Sequence, residues 1–115
     1  MSQTIRTCRL KDILQTLKIA GNSLASLPAE LGNLTNRRTL EIVGNSMASL
    51  PAELGNLENL QEFVLNGTRS LTSLPAELGN LENLQTLRIT YNRGLTSLPA
   101  ELGNLKNLRT LRITD

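Results

Sequence analysis

The sequence predicts an α/β solenoid, with about five parallel strands on a concave face and short helices on a convex face. Three observations predict it. The stretch SLPAELGNL occurs four times without substitution, beginning at Ser26, Ser49, Ser73 and Ser97. The prolines it carries, Pro28, Pro51, Pro75 and Pro99, lie 23, 24 and 24 residues apart, a period at which one strand and one short return segment close a coil. Leucine supplies 25 of the 115 residues, and between the copies apolar and polar residues alternate.

That alternation is the period of a half-buried strand, whose successive side chains point to opposite faces. Leu17/Ile19, Leu40/Ile42, Phe63/Leu65, Leu87/Ile89 and Leu111/Ile113 are expected to point inward. Three rows then face solvent on the concave side. The first is Thr16, Thr39, Glu62, Thr86 and Thr110; the second Lys18, Glu41, Val64, Arg88 and Arg112; the third Ala20, Val43, Asn66, Thr90 and Thr114.

The repeated stretch is the return path. Proline suits the first helical position, where its missing N–H costs nothing, and the glycine four residues later is expected to end the helix. So short a helix is unstable alone, so Leu27, Leu31, Leu34 and their counterparts must pack against the sheet. Glu30, Glu53, Glu77 and Glu101 form an aligned row of carboxylates. They read as solvated helix surface on an outer face where curvature splays the coils, and no pair of contrasting environments assigns acid and base roles among them.

Asn22, Asn45 and Asn92 follow the strands at one offset, where the chain bends and strips backbone groups of partners. A buried amide can satisfy those groups, so an asparagine ladder is expected, rearranged in the third copy, where Thr68 takes the place and an extra residue precedes Leu71. Arg37 stands where other copies have Leu14, Leu60, Leu84 and Leu108. Because an isolated buried guanidinium is costly, it is expected to turn toward solvent or meet a carboxylate.

The frame LQTLKIAGNSL from Leu14 returns as RRTLEIVGNSM from Arg37, LQEFVLNGTRSL from Leu60, LQTLRITYNRGL from Leu84 and, truncated, LRTLRITD from Leu108. On these residues the chain resembles the leucine-rich repeat family, in the LPxxLGxLxxLxxLxLxxN form of plant intracellular Ras-group-related and bacterial proteins. The resemblance implies a horseshoe segment in which residues 14–115 hold four repeats and a truncated fifth strand. Residues 1–13 are a degenerate repeat or cap, with Ile5, Cys8, Leu10 and Ile13 as its apolar contacts and Cys8 a buried thiol. The family includes binders of many kinds, so the implied function is a protein-protein interaction module whose partner is not specified. Its members among pathogen effectors and signalling regulators supply one alternative.

Composition narrows the chemistry. With no His and one Cys, Ser/His/Asp and Cys/His relays, an internal disulfide and the usual zinc sites are excluded, so no catalytic residue, metal or cofactor is expected. Twelve basic against ten acidic residues, without a run of like charge, give no support for nucleic-acid binding. No stretch reads as a signal peptide or membrane span, which makes a cytoplasmic protein the expectation.

Residues that differ between copies mark positions that packing does not dictate, where recognition can be written. The candidate partner-binding face is therefore Lys18, Glu41, Glu62, Val64, Arg88, Tyr91 and Arg112. Arg88 and Arg112 form a like-charge pair that an anionic partner would relieve, and Tyr91, the one tyrosine, is the expected hot spot. The last strand is expected to expose an unpaired edge and apolar side chains, so a homodimer through that edge is a further expectation. A structural, consensus-like scaffold that self-associates without a natural ligand is the rival reading, favoured by the identical copies. Unequal spacing, Arg37, Thr68 and the turns NSM, TRSL and NRGL speak against uniform design and for recent duplication.

Overall fold

Each alternating stretch is a strand in the computed structural model, which describes residues 16–20, 29–33, 37–44 and 47–114. The strands are β1 (Thr16–Ala20), β2 (Thr39–Val43), β3 (Glu62–Asn66), β4 (Thr86–Thr90) and β5 (Thr110–Thr114). They pair in chain order as one five-stranded sheet, every pairing parallel. Thr16 stands opposite Thr39, Glu41 opposite Val64 and Arg88 opposite Arg112, so the three solvent-facing rows expected from the sequence are the rows of the sheet. A slip of one residue would have turned every leucine outward, which is why the register is so firmly specified.

Leu40, Ile42, Phe63, Leu65, Leu87 and Ile89 form the sheet side of the core, while Leu17 and Ile19 are partly buried against it. Leu111 and Ile113 are 50% and 51% exposed, as expected for the apolar side chains of the last strand, because no described residue covers them.

The return segments are single 3-10 helices: η1 (Ala29–Asn33), η2 (Ala52–Asn56), η3 (Ala76–Asn80) and η4 (Ala100–Asn104). Their i→i+3 bonds include Leu54 N–H to Pro51 O and Leu57 N–H to Leu54 O, each 3.2 Å. Leu54 and Leu78 are buried, and Leu31 and Leu102 pack against the core. Two details differ from the sequence reading. Pro51, with φ −69 and ψ 144, is the extended residue before the helix rather than its first residue. The glycine does not stop the helix either, since Gly55 and Gly79 lie inside η2 and η3 without a left-handed φ.

What the glycine permits is close approach. A Cβ on Gly32 would meet Glu53 O at 2.6 Å, one on Gly55 would meet Glu77 O at 2.5 Å, and one on Gly79 would meet Glu101 O at 2.4 Å. The outer side is therefore packed backbone to backbone, coil on coil, and not splayed as expected.

Where β2, β3 and β4 end, the chain bends through a left-handed residue: Gly44 (φ 61), Gly67 (φ 76) and Tyr91 (φ 56). Each of the three donates its N–H to the next coil, to Asn66 O at 2.8 Å, Thr90 O at 2.9 Å and Thr114 O at 3.0 Å. Beside this bend, buried Asn92 donates to Leu65 O at 3.0 Å and Thr90 O at 2.9 Å, and its Oδ1 accepts the Thr68 N–H at 2.7 Å and the Thr68 hydroxyl. Thr68, fully buried, is thus a donor to the asparagine of the next coil. Asn22 and Asn45, like Cys8 and the whole stretch 1–13, lie outside the described residues.

Arg37 meets the expectation in part: it is half-buried with no carboxylate partner among the described residues, and of its guanidinium nitrogens Nε alone is buried without a hydrogen bond.

Candidate functional site

The concave face is built from alternate residues of five parallel strands, which display side chains at a lateral spacing of about 4.8 Å. Its central row reads Lys18, Glu41, Val64, Arg88, Arg112 by strand pairing. Lys18, Arg88 and Arg112 are exposed, and Glu41, Glu62 and Val64 are half-buried. Glu62 stands in the adjoining row, opposite Thr39 on one side and Thr86 on the other. The sheet therefore brings every strand residue of the candidate face onto one surface. Among the described residues, none of its charges enters an ion pair.

Tyr91 lies just beyond β4, at the rim of this face, and is 59% exposed. Its left-handed backbone is unusual: a bulky residue there costs about 1–2 kcal/mol, whereas glycine adopts it freely. The aligned positions hold Gly44 and Gly67, so the strain belongs to this copy alone. Among the described residues the other exposed large apolar side chains are Leu111 and Ile113 of β5.

The convex side offers less. Glu30, Glu53, Glu77 and Glu101 are exposed, and no group of three or more His, Cys, Asp or Glu among the described residues could hold a metal ion. Two polar hollows lie between coils, one lined by Asn56, Glu58, Asn59, Asn80, Glu82 and Asn83, the next by the equivalents one coil on. Within them Asn83 donates to Glu58 O and Asn107 to Glu82 O, each at 2.7 Å. This second asparagine series was missed in the sequence, although its signal was present: the asparagine of NLENL and NLKNL is as constant as the leucines around it. It ties one coil's turn to the backbone of the coil before, which is a scaffolding task. No helix among the described residues is long and apolar enough to cross a membrane.

Comparison with known proteins agrees with this geometry. The family model described as leucine-rich repeat region matches residues 6–115. No curated protein sequence matches significantly. Among solved structures, a leucine-rich repeat protein of Leptospira interrogans superposes with a TM-score of 0.67 at 29% identity, over 100% of this chain and 35% of that one. The leucine-rich repeat domain of the type III effector XopL gives 0.63 at 23% identity, over 92% of this chain and 46% of that one. The chain thus spans less than half the length of either.

Proposed function

Because the chain belongs to the leucine-rich repeat family, whose members are commonly protein-interaction modules, we propose that it is a non-enzymatic module holding a protein partner on the concave face of its sheet. One observation carries this reading. The convex stretch SLPAELGNL is identical in all four copies, while the concave rows change from β1 to β4, and β4 and β5 both read TLRIT. Packing demands explain the identity, and recognition explains the variation. Lys18, Glu41, Glu62, Val64, Arg88, Tyr91 and Arg112 are the proposed contact residues. In this reading residues 1–13 cap the stack and 14–115 form the repeats.

Capture from a native lysate by the purified chain tests it, with Arg88→Glu/Arg112→Glu as the control. The double variant is expected to lose about tenfold in partner capture at an unchanged Tm, since both side chains are exposed and unpaired among the described residues. Unchanged capture would discard this face.

A second reading rests on β5, which among the described residues pairs with β4 alone and half-exposes Leu111 and Ile113, the features of a template for another strand. In that reading two copies of this chain meet edge to edge across a two-fold axis. The likeness to XopL, itself a type III effector, supports a shared scaffold, and an effector or signalling role remains a rival that rests on this resemblance alone.

A further inference from the structure

From β2 to β5 the charges of the concave face are divided by strand, with Lys18 on β1, opposite Glu41, bounding them on one side. Glu41 on β2 and Glu62 on β3 make an acidic zone; Arg88 on β4 and Arg112 on β5, directly opposite each other, make a basic zone. In the central row, Val64 alone separates Glu41 from Arg88. None of the four charges is paired within the described residues, and Arg88 with Arg112 is a like-charge cross-strand pair that the fold does not relieve.

We propose that this face takes an extended protein segment of divided charge, running across the strands, with a basic side chain over Glu41 and Glu62 and two acidic side chains over Arg88 and Arg112. The inference rests on the reading of the concave face as the binding surface and adds the chemistry of what binds. Spacing supports it. Glu41 and Arg88 are two strands apart, about 10 Å at 4.8 Å per strand, which an extended chain covers in about three residues at roughly 3.3 Å each. Two carboxylates at alternate positions of that chain lie within reach of two long guanidinium side chains, which match carboxylates in fork geometry. Half-buried Val64 between the two charged zones accepts a small apolar side chain, and exposed Tyr91 adds contact at the rim.

The same division argues against a uniform polyanion. Single-stranded nucleic acid laid across Arg88 and Arg112 would carry phosphates onto Glu41 and Glu62, and opposed like charges disfavour that partner.

Fluorescence anisotropy with labelled synthetic probes tests the proposal on the 115-residue chain at about 50 mM salt, where surface charge is weakly screened. Four probes suffice: a peptide of about ten residues with a lysine three residues from a glutamate–serine–glutamate triplet, an all-acidic peptide, an all-basic peptide, and a short oligodeoxynucleotide. The divided-charge peptide is expected to bind about tenfold more tightly than the other three. Glu41→Lys/Glu62→Lys should shift preference to the acidic peptide, and Arg88→Glu/Arg112→Glu to the basic one. If the acidic peptide or the oligonucleotide binds the parent at least as tightly, yet Arg88→Glu/Arg112→Glu abolishes it, the divided-charge inference fails while the concave face stands. If no probe binds, the inference fails and partner capture alone judges the face. If probes bind and neither charge reversal alters them, both readings fall.

Discussion

At Tyr91 the backbone holds φ 56, a conformation that Gly44 and Gly67 adopt at the same bend without steric cost. Its N–H still bonds Thr114 O, so the bend is imposed by the coil and the tyrosine endures it. Strain retained at an exposed aromatic residue beside a variable face is the pattern expected where a side chain is kept for contact. Tyr91→Gly should therefore stabilise the chain by about 0.5–1 kcal/mol, the left-handed penalty less the added freedom of glycine when unfolded. That corresponds to a rise of roughly 2–5 °C in Tm by calorimetry, accompanied by weaker partner capture. A fall in Tm would instead make Tyr91 a packing residue. The signal for this strain was in the sequence, because glycine fills the aligned place in every earlier copy; only the backbone angle gives it meaning. Arg37 shows the opposite limit: its misfit with Leu60 and Leu84 is visible in the letters, but where its Nε comes to rest is not.

Among the elements, the strands were readable and the return segments were read with the wrong mechanics. A period of two decides which face each strand residue occupies, and identical spacing then decides its neighbours, so the concave rows followed from the letters. In LPAELG the same proline and glycine suit either a helix that starts at proline and stops at glycine or a 3-10 turn pressed against its neighbour. The second holds, and the deciding contact, such as Glu101 O against Gly79, comes from another coil. The asparagines Asn83 and Asn107 escaped notice for a related reason, since their partners are backbone carbonyls that leave no mark in a sequence. The close approach gives a matched pair of substitutions. Gly79→Ala places a Cβ 2.4 Å from Glu101 O and should cost about 1–3 kcal/mol in urea unfolding. Gly103→Ala meets nothing within 4 Å and should stay within about 0.5 kcal/mol of the parent. Equal costs at the two positions would mean that the glycines serve the backbone turn and not the coil contact.

Across the described coils, one face is held constant by packing and the other varies from β1 to β4, and β5 is the last strand of the sheet among the described residues. If β5 joins two copies, light scattering should show a mass that rises toward twice the monomer with concentration, and Leu111→Lys/Ile113→Lys should abolish the rise; a constant monomer mass removes this use of the edge. The division between faces is the more consequential property, because it states where a partner can and cannot be read. Calorimetric titration of the captured partner against three forms of the chain measures it: the parent, the concave variant Arg88→Glu/Arg112→Glu, and the convex variant Glu53→Gln/Glu77→Gln. The expected result is an affinity about tenfold weaker for the concave variant and within about twofold of the parent for the convex one. Loss of affinity in the convex variant with the concave variant unaffected would place recognition on the repeated stretch and contradict the assignment of faces.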